Sequence, residues 1–187
     1  MKFSSLHDLY IGQLKDLHSA ETQLTKALPI MAKAANTPEL QSAFTAHLKE
    51  TKEQLVRLNQ IAEKLGKSLK GHTCAAMKAL IAEGSAWMEE DAAPELMDAG
   101  LVAAAQRVEH FEMAGYGIVH NFSELLGEEE AAKLLAETLH EEEAAEERLT
   151  TLAKSINVEA KVWHLSSQTP PAVCRYHRDA TPAASIK

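Results

Sequence analysis

Cysteine is scarce: two in 187 residues, Cys74 and Cys174, far apart and in unlike surroundings. That leaves no disulfide framework and no cysteine spacing suited to a metal, so both read as reduced thiols of a cytosolic chain. Aromatics make up only 5% against 45% hydrophobic residues, so the apolar content is mostly Ala and Leu, which favour helices over strands. Basic charge is outweighed, with 19 Lys and Arg against 27 Asp and Glu and a net charge of −8. Neither nucleic acid nor an anionic membrane surface is therefore expected as a partner. No apolar run approaches the roughly 20 residues of a membrane span. Met1-Lys2-Phe3-Ser4 lacks the apolar core of a signal peptide, and a cytoplasmic location is expected. A nucleotide-binding glycine loop, a Ser/His/Asp constellation and a CxxC pair are also missing, and no residue is assigned a catalytic role.

What the chain has is amphipathic helix. From Ser5 to Ala35, Leu6, Leu9, Tyr10, Leu14, Leu17, Leu24, Leu28 and Met31 recur at three- and four-residue steps, with Pro29 expected to kink the pattern. A second segment opens on Thr37-Pro38-Glu39, carries Leu40, Phe44, Leu48, Leu55, Leu58, Ile61 and Leu65, and stops at Gly66. A third spans about Asp98 to Leu126 and stops at Gly127; a fourth spans about Glu128 to Ile156. The short connections make each pair an antiparallel hairpin. The longer middle connection holds its own apolar stretch, Cys74 to Ile81, expected as a short helix. Two hairpins joined by a long crossover predict an all-α, ferritin-like four-helix bundle over residues 1–160. From residue 161 to 187 the periodicity fades and prolines gather, which predicts a disordered tail.

Four glutamates break the pattern. Glu21, Glu50, Glu109 and Glu142 lie near the middle of the four segments, on or at the edge of the apolar stripe. A buried carboxylate is costly unless paired, hydrogen-bonded or bound to metal. Glu112 shares the stripe of Glu109, Glu146 follows Glu142 by one turn, and Gln54 follows Glu50 likewise. Counted from the turns, the acids of each hairpin sit at one level, about half-way along. One such glutamate alone would be a solvated charge. Four at one level favour a carboxylate-bridged dimetal site, with a buried polar layer that fixes register as the alternative. Tyr10 and Tyr116 read as core, His47 as a satisfied half-buried histidine, and His18, His72, His120 and His140 as surface or edge residues.

Several strings occur in a familiar order: Asp-Leu-His-Ser-Ala-Glu-Thr-Gln-Leu (16–24), Pro-Glu-Leu-Gln-Ser-Ala-Phe (38–44), His-Leu-Lys-Glu-Thr (47–51), Cys-Ala-Ala-Met (74–77) and Ala-Ala-Ala-Gln-Arg-Val-Glu-His-Phe-Glu (103–112). Through them, residues 3–156 resemble the YciF-like bacterial stress proteins, a branch of the ferritin-like, rubrerythrin-related superfamily. The resemblance implies a four-helix bundle with a short crossover helix, usually dimeric and induced under stress. It also implies metal ligands from an acid on the first and third helices and Glu-x-x-His on the second and fourth. Glu21, Glu50, Glu109 and Glu142 match the acids; the histidines do not carry over, and Gln54, Glu112 and Glu146 stand nearby instead.

An all-oxygen shell of this kind suits Fe(II) or Mn. The resulting expectation is a homodimeric stress protein holding two Fe or Mn ions and acting on peroxide, O2 or Fe(II). Glu109 and Glu142 would bridge the ions, with Glu21, Glu50, Glu112 and Glu146 as terminal ligands and Gln54 as a weak ligand or hydrogen-bond donor. The alternative expectation is a non-catalytic interaction module.

Overall fold

Ser5 starts the first helix, its Oγ accepting from the backbone N–H of Asp8 at 3.1 Å. The Asp8 carboxylate accepts in return from the Ser4 N–H at 3.0 Å. The Ser5 bond satisfies a donor that the first turn leaves free, and the Asp8 bond ties the preceding residue to the helix start. The structure, a computed structural model, describes residues 4–167. Among them there are five helices and no strand: α1 (Leu6–Ala34), α2 (Pro38–Lys64), α3 (Ala75–Glu89), α4 (Pro94–Leu125) and α5 (Glu129–Ser167). None of the helices is long and apolar enough to cross a membrane.

The expected glycine stops are present. After α2, Gly66 takes φ +60°, its N–H reaching the Glu63 carbonyl and the Lys67 N–H reaching that of Ala62, both at 3.0 Å. Gly127 (φ +74°) closes α4 in the same way through Glu124 and Ser123. Both are the left-handed cap that glycine adopts without penalty. Pro29 sits inside α1 and does not end it.

Three boundaries differ from expectation. Pro94 occupies the first turn of α4, which therefore begins before Asp98. The crossover helix α3 runs on through Gly84 to Glu89. Gly84 lets it lie close on α4, since a Cβ there would stand 3.4 Å from that of Ala104. Finally, α5 continues past residue 160 to Ser167, and the tail expected beyond it, with Cys174, lies outside the described residues.

Helix α1 packs on α2 and α4 on α5, while α1 meets α4 and α2 meets α5 across the pairs; α3 lies against α4 and α1. Asp98 ties the pairs together. Fully buried, its carboxylate accepts from the backbone N–H groups of Asn36 and Thr37 at 2.7 and 2.8 Å, clamping the α1–α2 turn onto α4. Asp98→Ala would strand those donors. We expect it to cost about 1–3 kcal/mol, read as a lower denaturant midpoint with an unchanged slope.

The apolar core comes in two blocks. One holds Leu24, Leu28, Phe44, Leu101, Val108, Leu149 and Ile156. The other holds Tyr10, Leu14, Leu17, Leu58, Ile61, Tyr116, Val119 and Leu135. On each long helix the sequence between the blocks carries buried polar residues: Glu21 on α1, His47, Thr51 and Gln54 on α2, Glu109 and Glu112 on α4, Glu142 on α5.

Candidate metal centre

Each long helix sends at least one polar side chain into the gap between the two apolar blocks. His47, Glu109, Glu112 and Glu142, all buried, each offer an atom within 4.8 Å of the others. His47 Nε2 lies 3.5 Å from Glu109 Oε1 and 3.9 Å from Glu142 Oε2. Both oxygens of Glu112 and of Glu142 lack a hydrogen-bond partner, as do Glu21 Oε2, Glu109 Oε2, Gln54 Oε1 and His47 Nε2. Buried groups of this polarity are normally satisfied. So many buried oxygens without a hydrogen-bond partner, gathered beside His47, form a group that could hold a metal ion.

Around that group the remaining expected residues take distinct places. Glu21 is fully buried and accepts a short hydrogen bond from the Tyr116 hydroxyl. Gln54 donates to Glu141 Oε2 at 3.1 Å, and Arg57 fixes the same carboxylate with bonds of 2.7 and 2.6 Å. Glu50 turns outward: its Oε2 accepts from Arg148 at 2.7 Å and lies 3.4 Å from His47 Nδ1. Glu146 accepts from Gln106 at 3.2 Å and from Thr150 at 2.7 Å, away from the group. The structure thus gathers Glu109, Glu112 and Glu142, keeps Glu21 and Gln54 buried beside them, and leaves Glu50 and Glu146 out of the group.

His47 corrects the reading of it as a satisfied, half-buried residue. It is buried, its Nε2 is unpartnered, and it stands among the acids. The pair His47-x-x-Glu50 is Glu-x-x-His in reverse order, and spacing of three residues puts both on one helix face. A search for acid–histidine pairs in either order would have found it. His18 is likewise buried instead of at the surface. Tyr116, read as plain core, is the donor to Glu21.

The electrostatics follow from the crowding. Burial pushes Glu112 and Glu142 well above the usual carboxylate range, and repulsion from Glu21 and Glu109 adds to it. Burial also raises Glu109, against the pull of His47. Glu21 rises to about 8, burial outweighing the Tyr116 bond and the attraction of His47. Burial opposes charge on His47, yet Glu109, Glu50 and Glu21 together hold it above its ordinary value. Glu50 alone is held low, first by its bond to His47 and then, against partial burial, by Arg148.

The comparisons with known proteins agree with the resemblance in sequence. The family described as a domain of unknown function, DUF892, matches residues 5–161. Protein YciF of Escherichia coli K12 is 43% identical over 163 residues, 86% of this chain and 98% of that one. The crystal structure of that E. coli stress protein superposes with a TM-score of 0.80, covering 82% of this chain and 98% of its own. YcfI from Rhodopseudomonas palustris, for which a structural role has been suggested, is 40% identical and gives a TM-score of 0.77 over 79% of this chain and 94% of that one. A Xanthomonas campestris protein, 20% identical over 86% of this chain and 99% of its own, shares the fold at a TM-score of 0.69. With the profile match spanning nearly all described residues and a close relative matched almost end to end, this chain belongs to the DUF892 family of YciF-like proteins.

Proposed function

We propose that the protein is a ferritin-like stress protein whose four long helices hold a carboxylate-bridged pair of Fe or Mn ions. One observation carries the reading: the buried, mutually facing oxygens of Glu112 and Glu142, with no partner on either carboxylate. Two oxygens free on one residue are what a bridging ligand requires. Glu112 fits that role better than Glu109, which had been expected to share it with Glu142, because both oxygens of Glu112 are buried without a partner and only Oε2 of Glu109 is. His47, Glu109 and Glu21 would complete the set from outside. Glu50 acts behind His47, orienting the ring through Nδ1 as carboxylates do behind ligating histidines. Hard oxygens with one imidazole suit Fe(II) or Mn(II) over softer ions.

When bound, such a pair supplies redox and Lewis-acid chemistry at an O–O bond, for which peroxide or O2 is the fitting small substrate. The chain's own part is to keep the site dry between two apolar blocks, to fix His47 through Glu50, and to hold a proton on the Tyr116 hydroxyl against Glu21. A homodimer in the cytoplasm completes the reading.

The second reading is a non-catalytic structural protein in which the acids form a polar layer. The Tyr116–Glu21 and His47–Glu109 contacts favour it, since they link helices through protein side chains alone. Elemental analysis of freshly purified protein separates the two, alongside Glu112→Ala and Glu142→Ala. We expect about two ions per chain, lost in both variants. Wild-type protein that takes up neither Fe(II) nor Mn(II) under anaerobic loading would leave the polar layer as the account.

A further inference from the structure

A narrow crevice of about 10 Å³ reaches the buried group from the seam between α2 and α5. Phe44, Ala145 and Leu149 wall it, His47 and Glu109 lie at its buried end, and Arg148 stands at its outer end with 41% of its side chain exposed. Its volume is that of roughly one water molecule. Outside it, a groove of about 670 Å³ runs between the same two helices and shares Ala43 and Arg148 with the crevice. Ala43, Ala46 and Ala144 are among the residues that line that groove, and their small side chains leave it open. A separate apolar cavity of about 260 Å³ among α1, α3 and α4 touches none of the clustered acids or His47.

We propose that this seam is the entry route to the centre, and that Arg148 is the residue that sets what can pass. Through the 2.7 Å bond to Glu50, Arg148 spans from α5 to α2 across the mouth of the crevice. With Arg148 seated, the crevice holds about one water-sized molecule and ends at His47. A divalent cation or a bulkier reagent passes only when Arg148 leaves Glu50 and swings into the groove. Size selection then comes from one ion pair and two alanines, Ala43 and Ala145, without any moving loop. Small oxidants such as peroxide or O2 then need the least opening of the seam, and alkyl hydroperoxides with bulky tails the most. This inference rests on the metal reading for its use, and on the crevice alone for its geometry.

The test therefore includes a measurement that needs no metal. Diethyl pyrocarbonate carbethoxylates the imidazole of histidine, and peptide mass spectrometry assigns the reaction to His47. In metal-free protein, Arg148→Ala should speed modification of His47 by about tenfold, while Ala43→Phe, which fills the shared wall, should slow it by about as much; a factor of ten is ~1.4 kcal/mol of opening free energy. Arg148→Gln, closer in shape, guards against a misfolded alanine variant, and circular dichroism checks all three. Release of Mn(II) from loaded protein to a chelator should change in the same order. Rates at His47 that do not respond to Arg148→Ala, Arg148→Gln or Ala43→Phe in folded protein would overturn the route. A chain that binds no Mn(II) yet shows the expected His47 rates would overturn the metal reading and leave the route standing.

Discussion

In metal-free protein the melting temperature should fall as pH rises from about 5 to about 8, and Mn(II) or Fe(II) should cancel the fall. Glu21 titrates near 4.5 when unperturbed and at about 8 in the folded chain, raised first by burial. Burial lifts Glu109, Glu112 and Glu142 in the same direction. The folded state therefore holds protons in this window that the unfolded chain has released. A raised folded pKa gives stability that is complete below the unfolded value and lost as pH climbs through the folded one. The slope approaches about 1.4 kcal/mol per pH unit for each proton so held. His47, also raised, acts with the same sign. Glu50 acts with the opposite sign, but it is lowered and titrates below the window. A divalent cation selects the ionised carboxylates, and at a hundredfold excess over its dissociation constant it adds about 2.7 kcal/mol. Calorimetric melts of chelator-treated protein across this range, with and without Mn(II), make the comparison. A flat profile without metal would mean that the acids are ionised and satisfied by the protein itself.

The level of those acids was legible because two local signals agree. Glycine and proline mark where helices turn: Thr37-Pro38, Gly66 and Gly127 stand at helix ends as their chemistry requires. Counting from those turns, a period of 3.6 then places Glu21, Glu109, Glu112 and Glu142 inward at one height, and all four are buried there. What periodicity does not carry is the choice a long side chain makes at its tip. Glu50 sits at the edge of its stripe and can turn either way; Arg148, remote in sequence on α5, decides that it turns out. His47 stayed behind a general expectation about lone histidines, although the acids that make it exceptional come from α4 and α5.

Helix lengths show the same division. The Ala93-Pro94-Glu95 start of α4 carries the same proline-then-acid signal that marks α2, but the apolar pattern there is weak, and Asp98 looked like a beginning. Its true role depends on Asn36 and Thr37, which no local window contains. The apolar stretch expected as the crossover helix stops at Ile81, but α3 continues through Gly84. Gly84 is the point where α3 and α4 approach, and tertiary contact offsets the roughly 1 kcal/mol that glycine costs in a helix.

Glu112→Gln should make the metal-free protein more stable and the metal-binding protein impossible to stabilise. Glu112 is fully buried, neither oxygen has a partner, and burial with three neighbouring acids disfavours its charge. At pH 8 the folded chain must either keep a proton there against solution or carry an unpaired buried charge. An amide of the same shape has neither cost, and its NH2 can donate to the acids around it. Replacing even a buried ion pair by well-packed neutral side chains of similar volume is often neutral or stabilising by about 1–4 kcal/mol, and an unpaired charge has less attraction to lose. Gln54, buried on α2, is the same residue type tolerated next to Glu141. The gain should be largest at high pH and shrink toward pH 5, where the wild-type carboxyl is protonated anyway. Added Mn(II) should raise the melting temperature of wild type and leave the variant nearly unmoved, because the bridge is gone. Glu21→Gln should behave differently, since Tyr116 already donates to that carboxylate and would lose a charged acceptor. If the acids were a structural layer, each substitution would destabilise the fold at every pH and metal would make no difference. A residue whose removal strengthens the bare fold while abolishing its response to metal is one retained for the ion and not for the bundle.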